Sequence, residues 1–378
     1  MHDTKISAVE GGAELRDFIN LPWSIYADYS QWVPPLKKEV RRLLDIRKHP
    51  FWEFSERVLF IARRGSETVG RIAGIVDRNY NQFHSEKMGA WGFFECIDDS
   101  EVAAALFSSV ETWIRQKGMI SLRGPLSPST NYETGFLIEG FEYPPALMMP
   151  YTPPYYPGLV EACGFAKAKD LVAFLISAPY ELPEWMDHLA DRVAKKKGVE
   201  IRRFRPKEQD AEFDLIREIY NDSWANNWGF VPLTENEMRA IQRDAMEFTD
   251  PDLSFFISYE DEPVAICVIF PDMNPLLKRL NGRIGLIGAL KALLYRGKIT
   301  GLRCVIFGVK DKYRQMGLPM LAFQKIYEIV RKKEKYRSLE MGWTLEDNEA
   351  VNALATEAGA RPYKKYRIFE KSLLSQTA

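Results

Sequence analysis

One order of elements occurs twice along the chain, and that repetition limits the possible folds more than any single motif. In the first half, Arg57 to Asp77 reads as two β-branched runs around Gly65-Ser66, the pattern of an antiparallel hairpin. A strand over 91–97 and a helix over 101–117 follow; the helix begins behind Asp98-Asp99-Ser100 and stops at Gly118. A strand over 120–123, a short helix over 158–163 closed by Gly164, and a strand over 170–177 complete the set. In the second half, after a strand over 199–204 and helices over 210–226 and 234–247, the same succession returns. A hairpin over 253–260 and 264–270 leads to a strand over 303–309, a helix over 319–332, a strand over 339–343, a short helix over 348–358 closed by Gly359, and a strand over 365–370. Duplication of one α/β unit is the simplest reading, with two unrelated α/β domains as the alternative. The Pro-flanked helical stretch Ala178 to Gly198 marks the connection, so the expected domains are 1–180 and 199–378, with a connecting helix over 181–198.

Composition narrows the function classes. The chain has 378 residues, 46% of them hydrophobic and 27% charged, enough for a full core in each half. The formal net charge of -1 gives no global field toward nucleic acid, and none is expected as a partner. The runs Lys195-Lys196-Lys197 and Arg331-Lys332-Lys333 lie where helices end, and there cations complement the helix dipole. Cys96, Cys163, Cys267 and Cys304 form no CxxC pair and the four histidines are scattered, so reduced thiols and no metal are expected. The N-terminal residues show no apolar signal-like region, and the longest apolar run, Ile284 to Leu294, is broken by Lys291 and is shorter than the ~20 residues a bilayer span needs. The expected location is the cytoplasm.

The segment most specific for chemistry is Val305 to Leu321, VIFGVKDKYRQMGLPML. A strand enters a tight turn and a helix leaves at once, so backbone N–H groups converge at the positive end of a helix dipole, an arrangement that suits a pyrophosphate. Gly317 lets the backbone approach an anion closely. The segment resembles the acetyl-CoA loop of the GNAT superfamily of N-acyltransferases, [RQ]-x-x-G-x-[GA], with Arg314-Gln315-Met316-Gly317-Leu318-Pro319 in register. Pro319 replaces the last small residue and removes one N–H donor. The following stretch, WTLEDNEAVNALATEAGARPYKKYRIFEK, is similar to the second signature of that superfamily, and Asn348 matches the asparagine near the pantetheine arm.

The resemblance implies two tandem GNAT-like domains of the α/β (α+β) class, each a mixed, mostly antiparallel twisted sheet flanked by helices. It implies acetyl-CoA or a longer acyl-CoA as acyl donor, held by Phe307, Gly308 and Val309 of the strand, by the loop 314–319 and by Asn348. The family often places a tyrosine acid one turn before the closing glycine; here that position is Ala355, which leaves Tyr366 or solvent to protonate the departing thiolate. Glu340 and Glu346 flank the strand end beside the expected thioester and are the candidates for the base. The first half carries DDSEVAAAL where the phosphate loop would stand, and two acids there would repel a pyrophosphate. Its expected task is to shape the acceptor site, through Asn131 and Glu133 in the Pro- and Tyr-rich stretch Gly124 to Pro157.

The insertion Asn274 to Thr300 is apolar with basic flanks, the pattern of a helix lying on a membrane or of one buried in the protein. On the first reading the acceptor is a lipid amine, and the protein makes peripheral contact with the inner membrane surface. The whole chain is also similar, without a diagnostic motif, to bacterial sphingolipid-type N-acyltransferases. A non-catalytic acyl-CoA sensor and a FemABX-like aminoacyl transferase are the competing readings.

Overall fold

The computed structural model describes residues 4–245, 250–284 and 295–374. Residues 285–294, the middle of the insertion, lie outside the described residues, as do the last residues of the helix expected over 234–247. The chain divides into two compact units. The first is drawn from the described residues within Met1–Leu171, Leu276–Leu293 and Lys364–Ala378, the second from those within Val172–Pro275 and Leu294–Tyr363.

In the first unit β1 (Thr4–Ala8), β2 (Ser55–Arg64), β3 (Glu67–Asp77) and β4 (Met88–Cys96) pair antiparallel in succession. The chain then crosses through a helix to β5 (Ser121–Gly124), which lies parallel to β4. Four helices precede that crossover: α1 (Gly12–Asn20), α2 (Pro22–Ile25), α3 (Lys37–Leu43) and α4 (Arg78–His84). The crossover helix, α5 (Ser100–Gln116), buries Val102, Leu106, Val110 and Ile114 in the core. Its close approach needs small partners. A Cβ on Gly89 would lie 2.5 Å from the Ile114 side chain, and one on Gly70 2.7 Å from Leu106. The loop after β5 contains β6 (Leu126–Ser127), β7 (Glu133–Thr134) and β8 (Phe136–Glu139), short strands inside a stretch that reads as irregular in the sequence. Helix α6 (Tyr156–Ala162) leads into β9 (Ala166–Ser177).

The second unit repeats the plan. Helix α7 (Glu184–Ala194) precedes β10 (Val199–Arg203), and α8 (Gln209–Trp224) and α9 (Glu235–Ala245) follow it. Strands β11 (Phe255–Tyr259), β12 (Glu262–Pro271) and β13 (Gly301–Val309) extend an antiparallel ladder from β10, interrupted between β12 and β13 by α10 (Asn274–Leu280) and the remainder of the insertion. Helix α11 (Leu318–Lys332) then crosses over to β14 (Ser338–Leu345), parallel to β13. Helix α12 (Glu349–Glu357) precedes the last strand, β15 (Arg361–Ser372). The hairpin–strand–helix–strand repetition is thus present in three dimensions, with a parallel pair in each unit where the helix crosses over.

The two final strands are exchanged. Residues 172–177 of β9 belong to the second unit, where β9 is the sheet neighbour of β14. Residues 364–372 of β15 belong to the first, paired antiparallel with β5 and β8. Arg367 of β15 holds Asp170 through two bonds of 2.8 and 3.0 Å within the first unit.

Candidate active site

The phosphate-loop candidate lies at the junction of β13 and α11. Lys310, the first residue after β13, is held by Glu218 at 2.6 Å and Glu262 at 2.9 Å, so the strand leaves the sheet at a fixed point. A single 3₁₀ segment, Asp311–Met316, brings the chain to Gly317, whose φ of 81° and ψ of 12° are left-handed. A side chain there is excluded twice over: the backbone angle disfavours L-residues, and a Cβ would lie 2.9 Å from Val193 of α7. Gly317 is the N-cap of α11 and offers no side chain to the first-turn amides, while Leu318 and Pro319 open the helix. Arg314 donates to the Ser223 carbonyl at 2.5 Å and pairs with Asp311 at 3.3 Å, and its guanidinium remains half-exposed. Lys196 donates to the Met316 carbonyl at 3.1 Å. A helix start without a side-chain cap, flanked by an arginine and a lysine, suits a diphosphate. Gln315 is exposed and Met316 half-buried beside it, whereas Gly308 and Val309 are buried and Phe307 is half-buried.

The parallel ladder of β13 and β14 runs only from Gly301 opposite Ser338 to Cys304 opposite Met341. β13 continues to Val309 and β14 to Leu345, so past that rung the pair opens, and residues 306–309 keep ladder partners on β12 alone. Such an opening leaves backbone donors available to a carbonyl oxygen placed between the strands. One rung before it, Arg303 stands opposite Glu340. Their side chains form an ion pair and are only 5% and 3% exposed. Arg303 also donates to the Gly342 carbonyl at 2.6 Å, and the Tyr363 hydroxyl donates to Glu340. Asn348 caps α12, accepting from Val351 N at 3.4 Å, and Ala355 is buried.

No family model matches the chain. It is 34% identical over 372 residues to Protein YghO of Escherichia coli (strain K12), across 95% of this chain and 93% of that protein. It is 34% identical over 382 residues to the bacterial ceramide synthase of Caulobacter vibrioides (strain NA1000 / CB15N), across 98% of both. A tandem GNAT protein from the clavulanic acid biosynthesis pathway shares the fold, with a TM-score of 0.56 at 12% identity, over 99% of this chain and 100% of the other. The chain belongs to the family of the first two proteins and has the GNAT N-acyltransferase fold.

The first GNAT unit has closed both features that the second leaves open. At its helix start Asp99 accepts from Glu101 N at 2.9 Å and Val102 N at 3.2 Å and pairs with Arg64 at 2.7 Å, so a carboxylate of the chain takes the amides a phosphate would use. Its parallel pair also ends early, at Ala90 opposite Arg123. The chain itself fills the space beyond: a Cβ on Gly92 would lie 1.7 Å from the Leu126 carbonyl oxygen, and Phe93 N donates to the Ser127 hydroxyl at 2.9 Å.

What this unit holds instead is a buried acid–tyrosine network. Arg71 and Glu95 face each other across β3 and β4 and pair at 3.3 Å. The Tyr156 hydroxyl donates to Glu95 at 2.6 Å, the Tyr26 hydroxyl is bonded to the same carboxylate, and Arg71 reaches the Phe18 carbonyl at 2.6 Å. Burial pushes the Glu95 carboxyl up, and Arg71 opposes it. Glu133, on β7 opposite Ser127, is also raised, by burial first and by repulsion from Glu95 second. Its side chain is exposed, so a ligand can reach it. Arg71 opposes both shifts, as the ion-pair partner of Glu95 and through space for Glu133.

Of the residues singled out by sequence, the structure gathers Phe307 to Pro319 at one junction. It places the others elsewhere. Glu340 is not an open carboxylate at a strand end: Arg303 and Tyr363 occupy it. Tyr366 belongs to the first unit, fully buried opposite Leu137. Asn131 sits in a turn in which its amide donates to the Ser129 hydroxyl at 3.3 Å. Sequence reading missed Arg71 and Glu95, although each stands between apolar neighbours inside a strand and could have been flagged on that ground. Nothing local pointed to Tyr26 or Tyr156.

Proposed function

We propose that the protein is an acyl-CoA-dependent N-acyltransferase whose second unit holds the acyl-CoA and whose acceptor is a lipidic amine. The opening of β13 and β14 beyond Cys304 and Met341, directly before a glycine-capped helix start, is the observation that carries this reading. In it, the amides at Leu318 and beyond, with Arg314 and Lys196, take the diphosphate, and Asn348 lies near the pantetheine arm. The exposed backbone edge of β13 polarises the thioester carbonyl. The acceptor ammonium loses a proton to solvent, the neutral amine attacks the carbonyl carbon as the C–S bond breaks, and the nitrogen gives a second proton to solvent as the amide forms. A thiol of pKa ~8.5 leaves as thiolate without strong assistance, so water protonates it and the alanine at 355 is tolerated.

Glu133 is our candidate for the group that receives the acceptor as an ammonium ion, with Asn131 nearby in the loop. Glu340 is then a positioning residue that keeps β13 and β14 together up to the point of divergence. The likeness to a bacterial ceramide synthase supports a long-chain amino alcohol as acceptor, because a ceramide is the N-acyl derivative of one.

Mass spectrometry of ligands retained by the purified chain, followed by thiol-release assays with acetyl-CoA and palmitoyl-CoA against long-chain and hydrophilic amines, tests the proposal. Gly317→Glu, which places a carboxylate at the helix start, is expected to abolish CoA affinity and leave the far-UV circular dichroism unchanged. Undiminished CoA binding by that variant would remove the site; tight CoA binding without thiol release for any amine would favour a sensor.

A further inference from the structure

Two basic segments distant in sequence meet on the first unit. One is residues 37–48, α3 and its continuation; the other is 276–284, the start of the insertion, assigned to the same unit. Lys37 N donates to the Gly282 carbonyl at 3.0 Å, and the Trp23 indole donates to Asn281 at 2.8 Å. Lys278 reaches the Ser30 carbonyl, and the Lys37 ammonium lies 3.9 Å from the centre of the Trp23 ring. Gly282 fits only as glycine, since a Cβ would lie 2.3 Å from the Trp23 ring. The junction is therefore built.

Across these two stretches nine lysines and arginines stand against Glu39 and Asp45 as the only acids, in a chain whose formal net charge is -1. Both acids are already paired, with Arg42 at 2.5 Å and Lys48 at 3.6 Å. Lys38, Arg41, Arg47 and Arg283 are exposed, and no ion pair is formed by them among the described residues. Ile284, 63% exposed, and Ile46, 58% exposed, are solvated aliphatic side chains at the edges of this charge. Burial, and then repulsion from Arg283, hold the Lys37 ammonium below the ordinary lysine range, so the two segments' charges are close enough to feel each other.

We propose that this face docks the protein on an anionic lipid bilayer, with the cations at the headgroups and Ile46 and Ile284 entering the interface. Concentrated cations answer a negative surface, and the exposed isoleucines gain from an acyl boundary but not from a nucleic-acid backbone. The surface uses none of the residues of the proposed acyl-CoA site and stands whether or not the catalytic reading holds.

Sedimentation of the full chain with vesicles of phosphatidylcholine alone, or with phosphatidylglycerol added, tests this without any acyl donor. The expected result is binding only to the anionic vesicles, weakening as salt is raised. The triple variant Lys38→Gln, Arg41→Gln, Arg283→Gln loses about fivefold per residue, on the order of a hundredfold together. Ile284→Ser gives a smaller loss that salt does not alter. The cations are solvated, so the triple variant keeps its circular dichroism spectrum and its thiol-release rate with a water-soluble acceptor. Equal binding to both vesicle types, binding to neither, an unweakened triple variant, or preference for duplex DNA over anionic vesicles would each overturn the proposal.

Discussion

Replacing Glu340 with glutamine separates a clamp from a base. The Arg303–Glu340 pair is almost wholly removed from water, and among the described residues Arg303 pairs with no second carboxylate, its other bond going to the Gly342 carbonyl. Glutamine keeps the shape and can still accept from Tyr363, but it leaves the guanidinium as an uncompensated buried charge. Breaking a buried pair in this way costs about 3–5 kcal/mol. With a urea dependence of roughly 2–3 kcal/mol per molar, the unfolding midpoint of Glu340→Gln falls by about 1–2.5 M. The double variant Arg303→Met, Glu340→Leu removes both charges and is expected within about 1–2 kcal/mol of the parent, because a pair of this kind is replaceable by apolar packing. Urea unfolding followed by tryptophan fluorescence, on the parent, Arg303→Met, Glu340→Leu and the double, gives the cycle, with Glu340→Gln measured beside it. A midpoint unchanged in Glu340→Gln, together with a collapse of kcat, would refute the argument and return Glu340 to the role of general base.

Other outcomes follow from the first unit. Asp99→Ala removes the acceptor for two first-turn amides and the partner of Arg64; it should lower stability by about 1–2 kcal/mol and leave calorimetric acyl-CoA affinity untouched. Burial pushes the Asp77 carboxyl up to about 6 from an ordinary 3.8, so between those pH values the folded state keeps a proton that the unfolded state releases. Stability is thus lost as pH rises through that window, by about 3 kcal/mol at most. Asp77→Asn, which preserves the bonds from Asn79 N and Tyr80 N, should match the parent near pH 4 and melt higher at pH 7; a difference in Tm independent of pH would contradict this. Glu133→Gln should raise the acceptor KM by about tenfold to a hundredfold with acyl-CoA affinity unchanged, and an equal loss for both substrates would count against a specific acceptor role.

The parts of this molecule legible in its sequence are those whose geometry is settled within a few neighbouring residues. The Asn348 cap and the acidic substitute at Asp99 rest on bonds between residues two or three apart, and the hairpins and the strand–turn–helix around Gly317 are announced by their turn residues. The tertiary structure alone decided the strand exchange, because a strand's ladder edges are the same whichever neighbour fills them, and β15 meets β5 across more than two hundred residues of chain. It likewise decided that Glu340 is clamped, that Tyr366 is core in the first unit, and that Arg71 faces Glu95. Each of these depends on the register between strands, which side-chain alternation constrains but does not assign until both partners are in place.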